Sequence, residues 1–299
     1  MKIVQENALQ KIANRIRYNV VQEVYNAKSG HLGGSLSIAE ILAVLYFNEM
    51  NIDPLNPRDM DRDRFILSKG HASCGLYAIL AERGYFPKEE LQNFRKINSN
   101  LQGHPDMNKV CGVDMSTGSL GQGLSVANGM AIAAKINNKE YRVYCLLGDG
   151  ELEEGQIWEA CMTSSKYKLD NLCVIVDCNK LQLTGNINEV KGLDSKDIEN
   201  KFKSFGFNTI SINGNNIKEI LEAFKESKTV KEMPTVIIAN TVKGKGISFM
   251  ENKAEWHGKT MNDEEYKEAL EELKNVMNGI ENDQMDDQNN NFFESEIEN

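Results

Sequence analysis

Residues Gly148–Ala160 read GDGELEEGQIWEA, directly after the apolar run Val143–Leu147, VYCLL. A chain that leaves a β-rich run, sets one carboxylate between two glycines and then enters a helical pattern is making a strand–turn–helix step. The glycines allow a tight turn and a close approach of ligand to backbone. The helix N-terminus that follows favours anionic charge. A reverse turn accounts for Gly-Asp-Gly by itself, so the neighbouring segments must decide whether this turn also holds a ligand.

The next β-rich run, LCVIVD (172–177), ends at Asp177-Cys178-Asn179. Asp149 and Asn179 are 30 residues apart, about one βαβ step. If the two strands are neighbours, both side chains reach the same sheet edge, where ligands bind in open parallel sheets. The backbone carbonyl of Leu181, just beyond, could add a third oxygen. One carboxylate and two neutral oxygens suit Mg²⁺ or Ca²⁺, with phosphate oxygens and water completing the shell. Strand, turn, helix, strand and asparagine in register favour a metal–diphosphate site over a bare turn.

Further out, short β-rich runs occur at 64–68, 208–212 and 235–240, and most are apolar on both faces. Helical patterns lie at about 5–26, 37–50, 74–83 and 88–95, and again at 123–136, 154–168, 195–204 and 216–228. Strands alternating with helices imply a doubly wound parallel sheet with helices on both faces. Two long polar loops, 97–122 and 241–262, are expected to be functional. One domain over 1–278 is expected, followed by an acidic, Asn-rich, disordered tail over 279–299.

The chain has 299 residues and a formal net charge of −10. Seven acids and no Lys or Arg lie between Glu281 and Asn299, which leaves 34 basic against 37 acidic residues elsewhere. That balance gives no reason to expect nucleic-acid binding. No run approaches the roughly 20 apolar residues of a membrane span, and the charged, helical N-terminus is no signal peptide. The six cysteines form no CxxC pair and read as reduced, buried thiols of a cytoplasmic protein.

Gly-Asp-Gly followed about 30 residues later by Asn resembles the metal–diphosphate motif of thiamine-diphosphate enzymes. The chain is most similar to the N-terminal, diphosphate-binding domain of the transketolase family. Besides GDGELEEGQIWEA, the likeness is carried by AKSGHLGGSLSIAEILAVLYF (27–47), LSKGHASCGLYA (67–78), GHP (103–105), STGSLGQGLSVANGMA (116–131) and TVKGKGISFMENKAEWHGK (241–259). It covers residues 10 to 262 or so.

The four histidines, His31, His71, His104 and His257, each adjoin a glycine and lie in predicted loops or strand ends, where side chains can face a ligand. Their wide spacing and the lack of cysteine partners argue against zinc. The resemblance implies that all four are active-site residues. His71 would contact cofactor and substrate, and His31 and His257 would bind substrate oxygens and move protons. His104 would bind the donor's hydroxyl. Splitting a ketose beside its carbonyl needs such a base and such donors. The resemblance likewise implies that Gly118, Ser119 and Leu120 pack on the cofactor and that Gly150 meets its diphosphate. Lys243 would lie at the cofactor, and Glu154 at an interface between cofactor sites. Glu154 also reads as a helix N-terminal acid favouring the dipole. Leu32 and Ser119 stand where many transketolases have proline.

The resemblance further implies ketol transfer between a ketose phosphate such as xylulose 5-phosphate and an aldose phosphate such as ribose 5-phosphate, as in the pentose phosphate pathway. The pyrimidine-binding domain, with the glutamate that activates the cofactor, is expected on a separate C-terminal subunit in an α₂β₂ assembly. Three alternatives stay open. One is another keto-sugar enzyme, or a 1-deoxyxylulose-5-phosphate synthase. Another is a nicotinamide dehydrogenase using Gly121-Gln122-Gly123, although no strand precedes that weak motif. The third is a non-catalytic subunit that kept the fold.

Overall fold

The computed structural model describes residues 6–297, with side chains described as far as Ile280. Seven strands form: β1 Arg64–Leu67, β2 Val143–Gly148, β3 Leu172–Cys178, β4 Leu181–Gln182, β5 Gly185–Asn186, β6 Asn208–Asn213 and β7 Thr235–Asn240. Five of them make one parallel sheet in the order β1-β2-β3-β7-β6; β4 and β5 make a small antiparallel hairpin beside it.

The apolar runs are explained by the two-residue period of a strand. In β2, Val143, Cys145 and Leu147 enter one core, while Tyr144 and Leu146 enter the other. In β3, Leu172, Val174, Val176 and Cys178 face the first, and Cys173 and Ile175 the second. Helices α5 (Gly123–Ile136), α6 (Gly155–Lys166) and α8 (Ser195–Ser204) cover one face. The other carries α1 (Glu6–Ala27), α3 (Ala39–Val44), α4 (Ser73–Arg83), α9 (Ile217–Ser227) and the start of α10 (Asp263–Ile297). The expected doubly wound architecture is therefore present.

The helix expected over 37–50 forms as α3, which passes directly into a π-helical turn over Leu45–Glu49, and a separate short helix, α2 (Gly33–Leu36), precedes it. Ser37 sits between α2 and α3, where its hydroxyl serves the site described below. The segment expected as helix over 88–95 is a 3₁₀ turn, Lys88–Asn93. A further short helix, α7 (Ile187–Lys191), follows the hairpin. Cys111 is exposed, unlike the other five cysteines, because it lies in the long loop before α5. The α10 backbone runs through most of 279–299, the stretch expected to be disordered; the side chains past Ile280 lie outside the described residues. Among the described residues no helix is long and apolar enough to cross a membrane.

Candidate active site

The parallel register sets Gly148 opposite Asp177, so the turn after β2 and the loop after β3 share the carboxyl edge of the sheet. Asp149 is 2% exposed. Its Oδ1 accepts the Gly150 N–H at 2.8 Å, and its Oδ2 accepts the Lys180 N–H at 2.5 Å. The carboxylate is thus bonded to the residue next to Asn179. Asn179 donates Nδ2–H to Asp177 Oδ2 at 2.9 Å, which leaves its Oδ1 to accept the Leu181 N–H at 3.1 Å. The turn after Asp149 is a 3₁₀ turn, Gly150–Glu153, before α6 begins. A Cβ at Gly150 would lie 2.9 Å from Gln182 Oε1, so this backbone is approached as closely as only glycine permits.

Asp177 is fully buried and saturated with donors. Ser37 Oγ (2.8 Å), Lys69 Nζ (2.6 Å) and Asn179 Nδ2 meet its Oδ2, and Thr241 Oγ1 meets its Oδ1. Burial alone would raise this carboxyl's pKa, but Lys69 and the hydroxyl donors hold it below the usual range. Lys69 also donates to Gly34 O at 2.6 Å. One carboxylate therefore joins the α2 loop and the ends of β1, β3 and β7, and it fixes which way the Asn179 amide faces.

Lys243 is 1% exposed. Its ammonium donates to Leu181 O at 2.6 Å and lies 2.8 Å from His257 Nδ1. It makes no ion pair among the described residues. Burial pushes its pKa down to about 8, partly opposed by Asp149. An ammonium only donates, so His257 Nδ1 accepts and the neutral ring carries its proton on Nε2. His31, His71 and His257 form a triangle with ring centroids 5.1, 5.6 and 5.2 Å apart. Burial is the main cause that brings their pKa values down to about 4, 2 and 3, with nearby cations adding to it. All three are neutral at pH 7. His31 Nδ1 is buried with no hydrogen-bond partner among the described residues.

A cavity of about 430 Å³ lies over these groups. It is lined by His31, His71, Gly118, Leu120, Asp149, Gly150, Glu154, Asn179, Leu181, Lys243 and His257, all singled out in the sequence. His104 and Ser119 do not line it. His104 is exposed at the rim, where its ring packs on Gly118: a Cβ there would lie 3.2 Å from Cδ2. Burial and the Arg95 charge lower its pKa. Glu154 is exposed at the N-cap position of α6 and makes no cap bond. Lys69, Asp177 and Glu151 are functional candidates that the sequence does not single out. A lysine or acid beside a Gly-His or an Asn has no periodic signature, and only the fold shows that Lys69 and Glu151 are buried in the cavity lining and that buried Asp177 holds Lys69 and Asn179 there.

The donor chemistry fits a hard divalent cation: a carboxylate, an amide oxygen and a peptide carbonyl converge on one sheet edge. It also fits an anion, since Lys243 is a buried cation without an anionic partner among the described residues and Lys69 lies beside it. Asp149 itself is raised to about 7 by burial and by Asp177, against the pull of its N–H partners. A divalent cation there would favour the ionised form.

The chain is similar to known proteins in three comparisons. Residues 8–289 match the family model described as "Transketolase, thiamine diphosphate binding domain". The 6-deoxy-6-sulfo-D-fructose transketolase subunit SqwG of Clostridium sp. (strain MSTE9) is 44% identical over 270 residues, 90% of this chain and 98% of that one. A subunit of the apulose-4-phosphate transketolase of Actinobacillus succinogenes is 45% identical over 269 residues, 89% of this chain and 96% of that one. The crystal structure of the Campylobacter jejuni transketolase superposes with a TM-score of 0.85 at 35% identity, covering 91% of this chain but 43% of that one. The chain therefore belongs to the transketolase family, as its N-terminal thiamine-diphosphate-binding domain.

Proposed function

We propose that this chain is the diphosphate-binding subunit of a two-chain, cytoplasmic transketolase, completed by a C-terminal subunit that brings the pyrimidine-binding domain, in an α₂β₂ assembly. The reaction is transfer of a two-carbon ketol unit from an anionic ketose to an aldose phosphate. The supporting observation is the carboxyl-edge cavity itself. Asp149, Asn179 and Leu181 offer oxygen ligands there, Lys69 and Lys243 offer positive charge, and three neutral imidazoles face the same space. The two subunit relatives, matched over 96–98% of their length, support a division of the enzyme at this point.

In this reading Asp149, Asn179 and the Leu181 carbonyl hold Mg²⁺ (or Ca²⁺), and Gly150 and Lys243 receive the diphosphate. Gly118 and Leu120 pack on the cofactor, with Ser119, placed there by the resemblance, outside the cavity lining of the cofactor-free chain, and Glu154 lies toward the neighbouring cofactor site. When bound, thiamine diphosphate supplies the carbanion-stabilising thiazolium. The histidines supply the proton handling. A neutral imidazole can take the donor's hydroxyl proton at pH 7. His257, with its proton on Nε2, donates to an oxygen that gains charge. His31 and His71 stand beside it, and His104 reaches the donor from the rim.

Xylulose 5-phosphate and ribose 5-phosphate are the reference pair. A second reading is another keto sugar, favoured by the names of the two relatives, which specify a sulfofructose and apulose 4-phosphate. The test is ketol transfer with thiamine diphosphate and Mg²⁺, measured for the chain alone and for the chain with whatever polypeptide co-purifies, across a panel of ketose donors. Full turnover by the chain alone refutes the two-chain arrangement. Failure of every ketose with the reconstituted pair refutes ketol transfer.

A further inference from the structure

Glu151 is 3% exposed, yet its carboxylate carries three hydrogen bonds from three separate segments. Oε1 accepts Ser68 Oγ–H at 2.5 Å, from the end of β1, and the Gly121 N–H at 2.9 Å, from the loop before α5. Oε2 accepts the Gly148 N–H at 3.0 Å, at the end of β2. The contact is tightened on both sides. A Cβ at Gly121, where φ is +82°, would lie 2.7 Å from the Glu154 Cβ, and a Cβ at Gly123 would meet the Ser68 side chain. The 116–122 loop and the 148–154 turn are therefore interlocked, with one carboxylate as the pin. Gly118 and Leu120, on one side of the pin, and Asp149, on the other, line the same cavity.

We infer that Glu151 is a positioning residue. It holds the 116–122 loop against the Gly148–Gly150 turn, so that the surface meeting the cofactor ring and the turn meeting the metal and diphosphate are presented as one preformed unit. This rests on the proposed function for what the unit binds, but not for the pin itself. The chemistry requires a carboxylate. Two oxygens serve three donors, whereas the amide of glutamine has one oxygen and would set its NH₂ against at least one buried N–H or hydroxyl. A buried donor left unpaired reopens the joint.

The test is amide hydrogen exchange on the full chain without cofactor, for Glu151→Gln and Ser68→Ala. In Glu151→Gln, the Gly121 and Gly148 amides exchange at least tenfold faster while Cys145 and Leu146, inside β2, keep their protection. In Ser68→Ala, a smaller acceleration appears at Gly121 and none at Gly148, because Ser68 shares Oε1 with Gly121 alone. Ser68→Ala also decides the matter should Glu151→Gln not fold. Unchanged protection at Gly121 in both variants overturns the inference, as does an equal loss throughout β2. In the assembled enzyme, half-saturating thiamine diphosphate rises about tenfold in Glu151→Gln, equivalent to about 1.4 kcal/mol, and by more than kcat falls. A fall in kcat alone, with half-saturation unmoved, overturns it too. If the wild-type enzyme binds no thiamine diphosphate, the functional reading fails while the exchange data still decide the pin.

Discussion

At the amino ends of β1 and β2, Asp63 accepts the N–H groups of Asn51 (2.8 Å) and Arg142 (2.7 Å), and Glu49 accepts the Tyr144 hydroxyl and the Lys228 ammonium, both at 2.8 Å. At the carboxyl ends Asp149 and Asp177 are equally well supplied with donors, but the cations are not alike. Lys228 keeps 43% of its side chain in solvent and pairs with Glu49. Lys243 is buried and pairs with no acid among the described residues. The amino end also carries the larger hollow, about 620 Å³ against about 430 Å³. Volume therefore does not mark the site. What marks it is unmatched polar capacity: a buried ammonium without a counter-charge, three uncharged imidazoles and an unpartnered His31 Nδ1 around one space.

The sharpest way to break this contrast is Asp149→Ala. Loss of an outer-shell partner costs about 10–100-fold in metal affinity, and loss of the ligand itself should exceed that. Calorimetric titration of thiamine diphosphate with Mg²⁺ should show binding abolished, and retention of binding within a few-fold would sink the metal assignment. Lys243→Met comes next. Cofactor affinity should drop about tenfold, the weight of a charge-assisted hydrogen bond. The cofactor-free chain should meanwhile become more stable to urea, as a buried charge without a counter-charge leaves the interior, by a margin reduced by the loss of its hydrogen bonds to Leu181 O and His257 Nδ1. Lys228→Met should do neither.

At the other end, Asp63→Asn should lower urea stability by about 1–3 kcal/mol, since the amide leaves one of two N–H groups unpaired. Cofactor titration should be unchanged; a parallel loss of affinity would mean that the two ends are coupled. A further effect concerns pH. His31, His71 and His257 have folded pKa values below the ordinary 6.5. Below 6.5 the unfolded chain therefore binds protons that the folded chain refuses. Stability contributed by these neutral rings is complete above 6.5 and declines as pH falls toward the folded values. Urea midpoints at pH 7.5, 6 and 5 should decline, and His71→Gln should flatten the slope. A slope unchanged by that substitution counts against a neutral His71.

Glu23 shows another kind of buried acid. Both its carboxyl oxygens lack partners among the described residues, and burial raises its pKa well above the usual carboxylate range. It lies away from the cavity lining. An unsatisfied acid is thus not by itself a mark of function, and the convergence of several groups on one space is the stronger sign.

The linear sequence determined the strands and the turn between them. Doubly buried β2, β3 and β7 need apolar residues on both faces along most of their length, and Gly148-Asp149-Gly150 with Asn179 needs only one βαβ step to converge. Both patterns are local, so they could be read without a fold. Tertiary structure alone decided that β7 inserts between β3 and β6, that a separate short helix, α2, precedes α3 with Ser37 between them, and that residues 181–186 fold as a hairpin beside the turn. It alone joined Lys69 to Asp177, 108 positions away, and Glu151 to Ser68, 83 positions away. Such pairings carry no periodicity, because an acid and its donor meet only after the strands between them have set their distance and register.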